Sequence, residues 1–176
     1  LRRLSPTLLA LLLAGSGVPA WPGHLVGQDT DPSPHSDVRL IPEVTSIRPG
    51  TPFTVAVRFE LEPEWHNYWR NAGDSGLPTE IEWRLPPGFQ AGAIQWPIPD
   101  RIVAYTLTDY GYSGQPTLLV EVTPTADLPV GGPVTLAARV DWLVCMDICL
   151  PAYQEVEVQV AVSSQPTTNT ACPLFS

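Results

Sequence analysis

The sequence contains no lysine. All nine basic residues are arginine, set against 18 acidic residues, for a net charge of -9. Such a chain has no basic face to offer nucleic-acid phosphates, so a nucleic-acid partner is excluded. The acidity reads as a source of solubility. Sulfur is scarce as well, with three cysteines and one methionine. The apolar run Leu8 to Ala14 is far shorter than the ~20 residues that a membrane-spanning helix needs. No convincing apolar stripe of helical period extends beyond two turns. Internal repeats, phosphate-cradling loops and catalytic-triad motifs are all missing, so no organic cofactor is expected.

What is present begins with Arg2 and Arg3, the short apolar run, and small residues at Val18 and Ala20. That order predicts a secretory signal over 1–20, cut after Ala20, with an uncut membrane anchor as the alternative. No cysteine lies near the cut, so a lipid anchor is not expected. Residues 21–37 and 163–176 are rich in proline, glycine and small polar residues. They read as a disordered linker and a disordered tail. The stretch 38–162 between them is the expected folded domain. Export would place it in the periplasm or another extracytoplasmic space, where disulfides persist.

The domain reads as strands. In FTVAVRFEL, Phe53, Val55, Val57, Phe59 and Leu61 share one face, while Thr54, Arg58 and Glu60 take the other. VTLAARVDWLV at 134–144 and EVEVQVAV at 155–162 alternate in the same way. LLVEV at 118–122 and IEWRL at 81–85 are shorter candidates. Many of the 21 prolines fall between these runs and punctuate turns. Short alternating strands with turn signals predict an all-β, immunoglobulin-like antiparallel β-sandwich.

Chemistry concentrates in WLVCMDICLPA, which holds Cys145 and Cys149. Along a straight strand the two would stand ~13 Å apart, whereas a disulfide needs Cα atoms within ~7 Å. The chain must therefore turn between them. A three-residue hairpin loop, Met146-Asp147-Ile148, or a single helical turn would serve. Three readings stay open. A loop this small removes little chain entropy, which weakens the structural-staple reading. Tight exposed disulfides are the labile ones, which favours redox exchange. Cys145, Met146 and Cys149 are soft ligands that would suit Cu(I), with His66 as a possible addition. No arginine lies between 140 and 162, so nothing nearby depresses a thiol pKa. The pair suits a carrier whose disulfide is attacked by a better nucleophile. Cys172, in the tail, is the odd cysteine out.

WHNYWRNAGDSGLPTEIEWRLPPGF from Trp65 to Phe89, then IQWPIP, DYGYSG and WLVCMDICLP, occur in an order and spacing that resemble a known family. It is the periplasmic N-terminal domain of the thiol:disulfide interchange protein DsbD, in the branch with the copper-tolerance ScsB-like proteins. The resemblance spans about residues 40–160. It implies an immunoglobulin-like sandwich with a redox cysteine pair, here Cys145 and Cys149. It implies a thioredoxin-like or membrane-embedded electron donor. The acceptors would be periplasmic disulfide proteins, such as disulfide isomerases and cytochrome c maturation thioredoxins. Such a domain is expected to work as a monomer. Members of this family shield the pair with a cap loop bearing an aromatic residue. Segment 105–113 is the expected counterpart, with Tyr110 and Tyr112 as candidates. The best-known members space their cysteines more widely. No transmembrane segment or thioredoxin-like domain accompanies these residues, so a separate protein is expected as donor. Trp65, Tyr68 and Trp69 are either walls of the cysteine site or, more commonly for such residues, sandwich core. NAGDSG at 71–76 reads as a turn, with Asp74 as its cap. His66 reads as a structural histidine.

Overall fold

A computed structural model describes residues 33–169. The stretch expected to be a secretory signal, most of the expected linker and Cys172 lie outside that range. Among the described residues there are strands and no helix. The architecture is an all-β, immunoglobulin-like sandwich.

The first sheet has the order β1 (Ser36–Pro42), β3 (Phe53–Leu61), β9 (Thr117–Pro124), β6 (Phe89–Gln95). The second runs β12 (Thr167–Thr168), β2 (Val44–Ile47), β11 (Cys149–Val162), β10 (Pro133–Cys145), β4 (His66–Gly73), β8 (Leu107–Ser113), β7 (Asp100–Ala104). β5 (Glu80–Arg84) also pairs with β10. The strands reach a little beyond 38–162: Ser36 and Asp37 belong to β1, and Thr167–Thr168 form β12.

Period-two alternation builds the core. Phe53, Val55, Val57, Phe59 and Leu61 of β3 are all buried, as are Leu118, Val120 and Val122 of β9. Across the gap stand Leu136, Ala138, Val140, Trp142 and Val144 of β10. Full burial of each such aliphatic side chain contributes about 1.5–3 kcal/mol. The Phe59 and Trp142 rings meet edge-on at 5.3 Å and bridge the two sheets. β1 and β2 are one extended run divided at a sheet crossing. Pro42 has no N–H for further ladder bonds, and the chain crosses to β11, where Ala161 and Val162 pair in parallel with Ser46 and Ile47. Every other strand pair is antiparallel. Side chains tie the crossing edge: Val38 N–H donates to Gln154 Oε1 at 2.9 Å, and Trp142 Nε1 donates to Ser36 Oγ at 3.2 Å.

Candidate functional site

β10 and β11 form one long hairpin whose register ends on the pair Cys145 and Cys149. Met146, Asp147 and Ile148 make the turn, and Met146 N–H donates to the Ile148 carbonyl at 3.1 Å. The two cysteines are joined by a disulfide across a Cα–Cα distance of 4.2 Å. Of the two turn geometries that the sequence permits, the hairpin is the one observed. The two ends of the bridge are unequal: Cys145 is 1% exposed, whereas Cys149 lies at the surface. Ile148 beside it is 61% exposed.

Cys145 is buried on the outer side of its sheet. Even-numbered residues of β10 point into the sandwich, so Arg139, Asp141, Leu143 and Cys145 point away from it. Cover comes from β4, where His66 is the register partner of Cys145. Tyr68, Ala72 and Leu143 pack with Cys145 in a small cluster separate from the main core. The connection from β4 to β5 then passes over the Tyr68 ring as a strap. Gly76 makes this approach possible: its φ is +85°, and a Cβ there would stand 2.4 Å from Tyr68 ring carbons. Two carboxylates fasten the strap. Asp74 accepts the Thr108 N–H at 2.8 Å. Asp109, only 4% exposed, accepts both the N–H and the hydroxyl of Ser75 at 2.7 Å.

Tyr68 links strap to sulfur. Its ring is 2% exposed, and its hydroxyl lies 3.4 Å from Cys149 Sγ. A disulfide sulfur carries no proton, so the tyrosine donates. Burial holds the Tyr68 hydroxyl above its ordinary pKa, a hydrogen bond with Ser75 works the other way, and Asp109 adds to the rise. The His66 ring meets Tyr68 edge-on at 5.3 Å. Burial pushes the His66 pKa down, with Asp109 partly offsetting it. Alongside the hairpin, Leu77, Pro78, Leu143 and Pro151 line a shallow groove of about 250 Å³, with Glu80 and Asp141 also in its lining.

The remaining aromatic candidates lie elsewhere. Trp65 is 7% exposed in the main core and stacks on His35 at 3.8 Å. Trp69 packs against that core and contacts Tyr110 edge-on at 6.3 Å. Tyr112 is a core residue whose hydroxyl donates to the Pro97 carbonyl at 2.9 Å. Burial pushes its pKa up to about 12. The reason is alternation. Gly111 pairs with Tyr68 and Ser113 with His66, so Tyr110 and Tyr112 project to the opposite face of β8. Segment 105–113 is the β7–β8 turn followed by β8 itself. Met146 is 42% exposed, and among the described residues no group of three or more His, Cys, Asp or Glu side chains could hold a metal ion. The Asp74 carboxylate binds backbone as expected, but that of Thr108 on β8 and not that of its own turn. Ser75 and Asp109 were not singled out by sequence reasoning, although both lie in the NAGDSG and DYGYSG stretches that it marked.

The family model described as thiol:disulfide interchange protein DsbD, N-terminal, matches residues 37–161. Among solved structures, the N-terminal periplasmic domain of ScsB from Proteus mirabilis aligns at 19% identity with a TM-score of 0.55. That alignment covers 72% of this chain and 47% of the other, so this chain spans about half the length of that domain and shares its fold. The N-terminal domain of DsbD from Neisseria meningitidis, in the reduced form, aligns at 16% identity with a TM-score of 0.38, covering 73% and 89% of the two chains. No curated protein matches the sequence.

Proposed function

We propose a function for this chain from the family to which it belongs, the N-terminal domains of the thiol:disulfide interchange protein DsbD: it passes electrons between proteins through Cys145 and Cys149. One observation carries the reading. The bridge closes the tip of a hairpin with one cysteine exposed and the other buried. A partner's sulfur can reach Cys149, and Cys145 is kept as the internal partner.

The chemistry is two thiol–disulfide exchanges. A donor thiolate attacks Cys149 Sγ; a donor–Cys149 bond forms, the Cys145–Cys149 bond breaks, and the electron pair leaves on Cys145. A second donor thiolate attacks the donor sulfur of the mixed disulfide and releases Cys149 as a thiolate. The donor is then oxidised and the pair reduced by two electrons. In the return half, Cys149 attacks an oxidised acceptor, and Cys145 resolves that mixed disulfide and frees the acceptor's thiol. The donor is a thioredoxin-like or membrane-embedded DsbD-type protein. The acceptors are extracytoplasmic disulfide proteins, those of cytochrome c maturation among them. The 38–162 domain works as an exported, periplasmic monomer with no cofactor.

A purely structural bridge is the rival. By the chain-entropy relation, a loop this short contributes about 2 kcal/mol, against about 4.7 for a hundred-residue loop. The register from Pro133–Ala161 to Val144–Leu150 already closes this hairpin. The deciding measurement is the reduction potential of the pair in the chain carrying Cys172→Ser, equilibrated in glutathione and dithiothreitol buffers. A value of roughly -270 to -180 mV supports exchange. A value well below about -300 mV marks a structural bridge and removes the proposal.

A further inference from the structure

The Tyr68 hydroxyl lies 3.4 Å from Cys149 Sγ and donates to it, since a disulfide sulfur carries no proton. Ser75, in the strap over the Tyr68 ring, is fixed by Asp109, whose carboxylate accepts the Ser75 hydroxyl proton at 2.7 Å. While the bridge is intact, Cys149 is a weak neutral acceptor. A thiolate at Cys149 is a stronger one, because hydrogen bonds to an ionised partner are roughly twice as strong as neutral ones.

We propose that Tyr68 is the group that stabilises the Cys149 thiolate, and that Ser75, fastened by Asp109, is the positioning residue that keeps the Tyr68 hydroxyl aimed at that sulfur. The site needs such a group. No arginine occurs between 140 and 162 to support a thiolate, and Asp147 stands two residues from Cys149. His66, the remaining titratable group against Tyr68, is held toward its neutral form by burial. Tyr68 has little freedom to swing away, since the Gly76 backbone lies against its ring and Asp109 binds Ser75 through the backbone N–H as well. The step is balanced: as the mixed disulfide breaks, the electron pair stays on Cys149 Sγ and the Tyr68 proton remains on its oxygen while hydrogen-bonding that charge.

This inference rests on the exchange reading, but its test is separable from it. The chain carrying Cys172→Ser is reduced, freed of reductant and alkylated with iodoacetamide across pH 6 to 11. Fragmentation mass spectrometry locates the label on Cys149. Tyr68→Phe is expected to slow Cys149 alkylation at pH 7 about tenfold and to move the profile to higher pH by about one unit. Ser75→Ala is expected to move it the same way by a smaller amount, and Ser75→Thr, which keeps the hydroxyl, to restore it. An unchanged profile in Tyr68→Phe overturns the proposal. Movement in Tyr68→Phe with none in Ser75→Ala overturns the positioning role. Failure of the intact disulfide to exchange with dithiothreitol sinks the exchange reading instead, and leaves the alkylation profiles to decide the role of Tyr68.

Discussion

Along β10, the side chains that point into the sandwich and those that point away meet two different environments. Leu136, Ala138, Val140, Trp142 and Val144 enter a continuous apolar core supplied by both sheets. Arg139 and Asp141 face solvent as an ion pair at 2.8 Å, and Arg139 lies over the Tyr153 ring at 4.0 Å. Further along this outer face, Leu143 and Cys145 are covered, but by a local device: Tyr68, Ala72 and the strap at 74–79. The inner face obtains burial from the architecture itself. The outer face obtains it from one loop held down by two carboxylates. A reactive sulfur is better served by the second arrangement, because cover that depends on few contacts can open without unfolding the domain.

The contrast is sharpest under truncation. Trp142→Ala, on the inner face, is expected to cost about 3–5 kcal/mol in urea unfolding, since it empties a site filled from both sheets. An effect below 1 kcal/mol would mean that the inner face is less tightly packed than described. Gly76→Ala tests the outer face. Its Cβ would collide with the Tyr68 ring, so the strap must lift, at about 1–3 kcal/mol. In the Cys149→Ser background, Cys145 should then alkylate severalfold faster than with Gly76 present. An unchanged rate would show that the strap does not protect that sulfur. The smallest effect belongs to Tyr112→Phe, which gives up the bond to Pro97 at about 1 kcal/mol. It also has a pH signature. The Tyr112 pKa is near 12 in the folded protein, above its ordinary value of 10.0. Between those values the unfolded chain binds fewer protons, so stability falls as pH rises through 10 to 12. The Phe variant should lose that part of the alkaline slope, as denaturation midpoints across this range would show.

Much of the inner face could be read in advance. FTVAVRFEL coincides with β3, and 134–144 and 155–162 fall within β10 and β11, because strict alternation against one core leaves few other options. β7 was not legible: Asp100–Ala104 is an edge strand exposed over most of its length, so nothing selects an apolar face. At the site, the turn between the cysteines followed from distance alone. Their unequal exposure did not. It depends on which face of β10 carries Cys145 and on a strap more than 60 residues earlier in the chain. The same alternation that made the strands readable placed Tyr110 and Tyr112 on the face of β8 opposite His66 and Tyr68, an assignment that needs the β4–β8 register.

The length of β11 sets where the disulfide stands relative to the chain's path. From Cys149 to Val162 the strand runs 14 residues, about 43 Å at ~3.3 Å per step. The disulfide therefore caps one pole of the domain, and the chain leaves β11 at the other. Ser36, bonded to Trp142, brings the chain in at the disulfide pole. A fluorophore placed in the turn just after Val162, before β12 runs back along β2, would stand at the far pole and leave the sulfur clear. The same cargo attached just ahead of Ser36 would emerge beside it and act as a fender against docking.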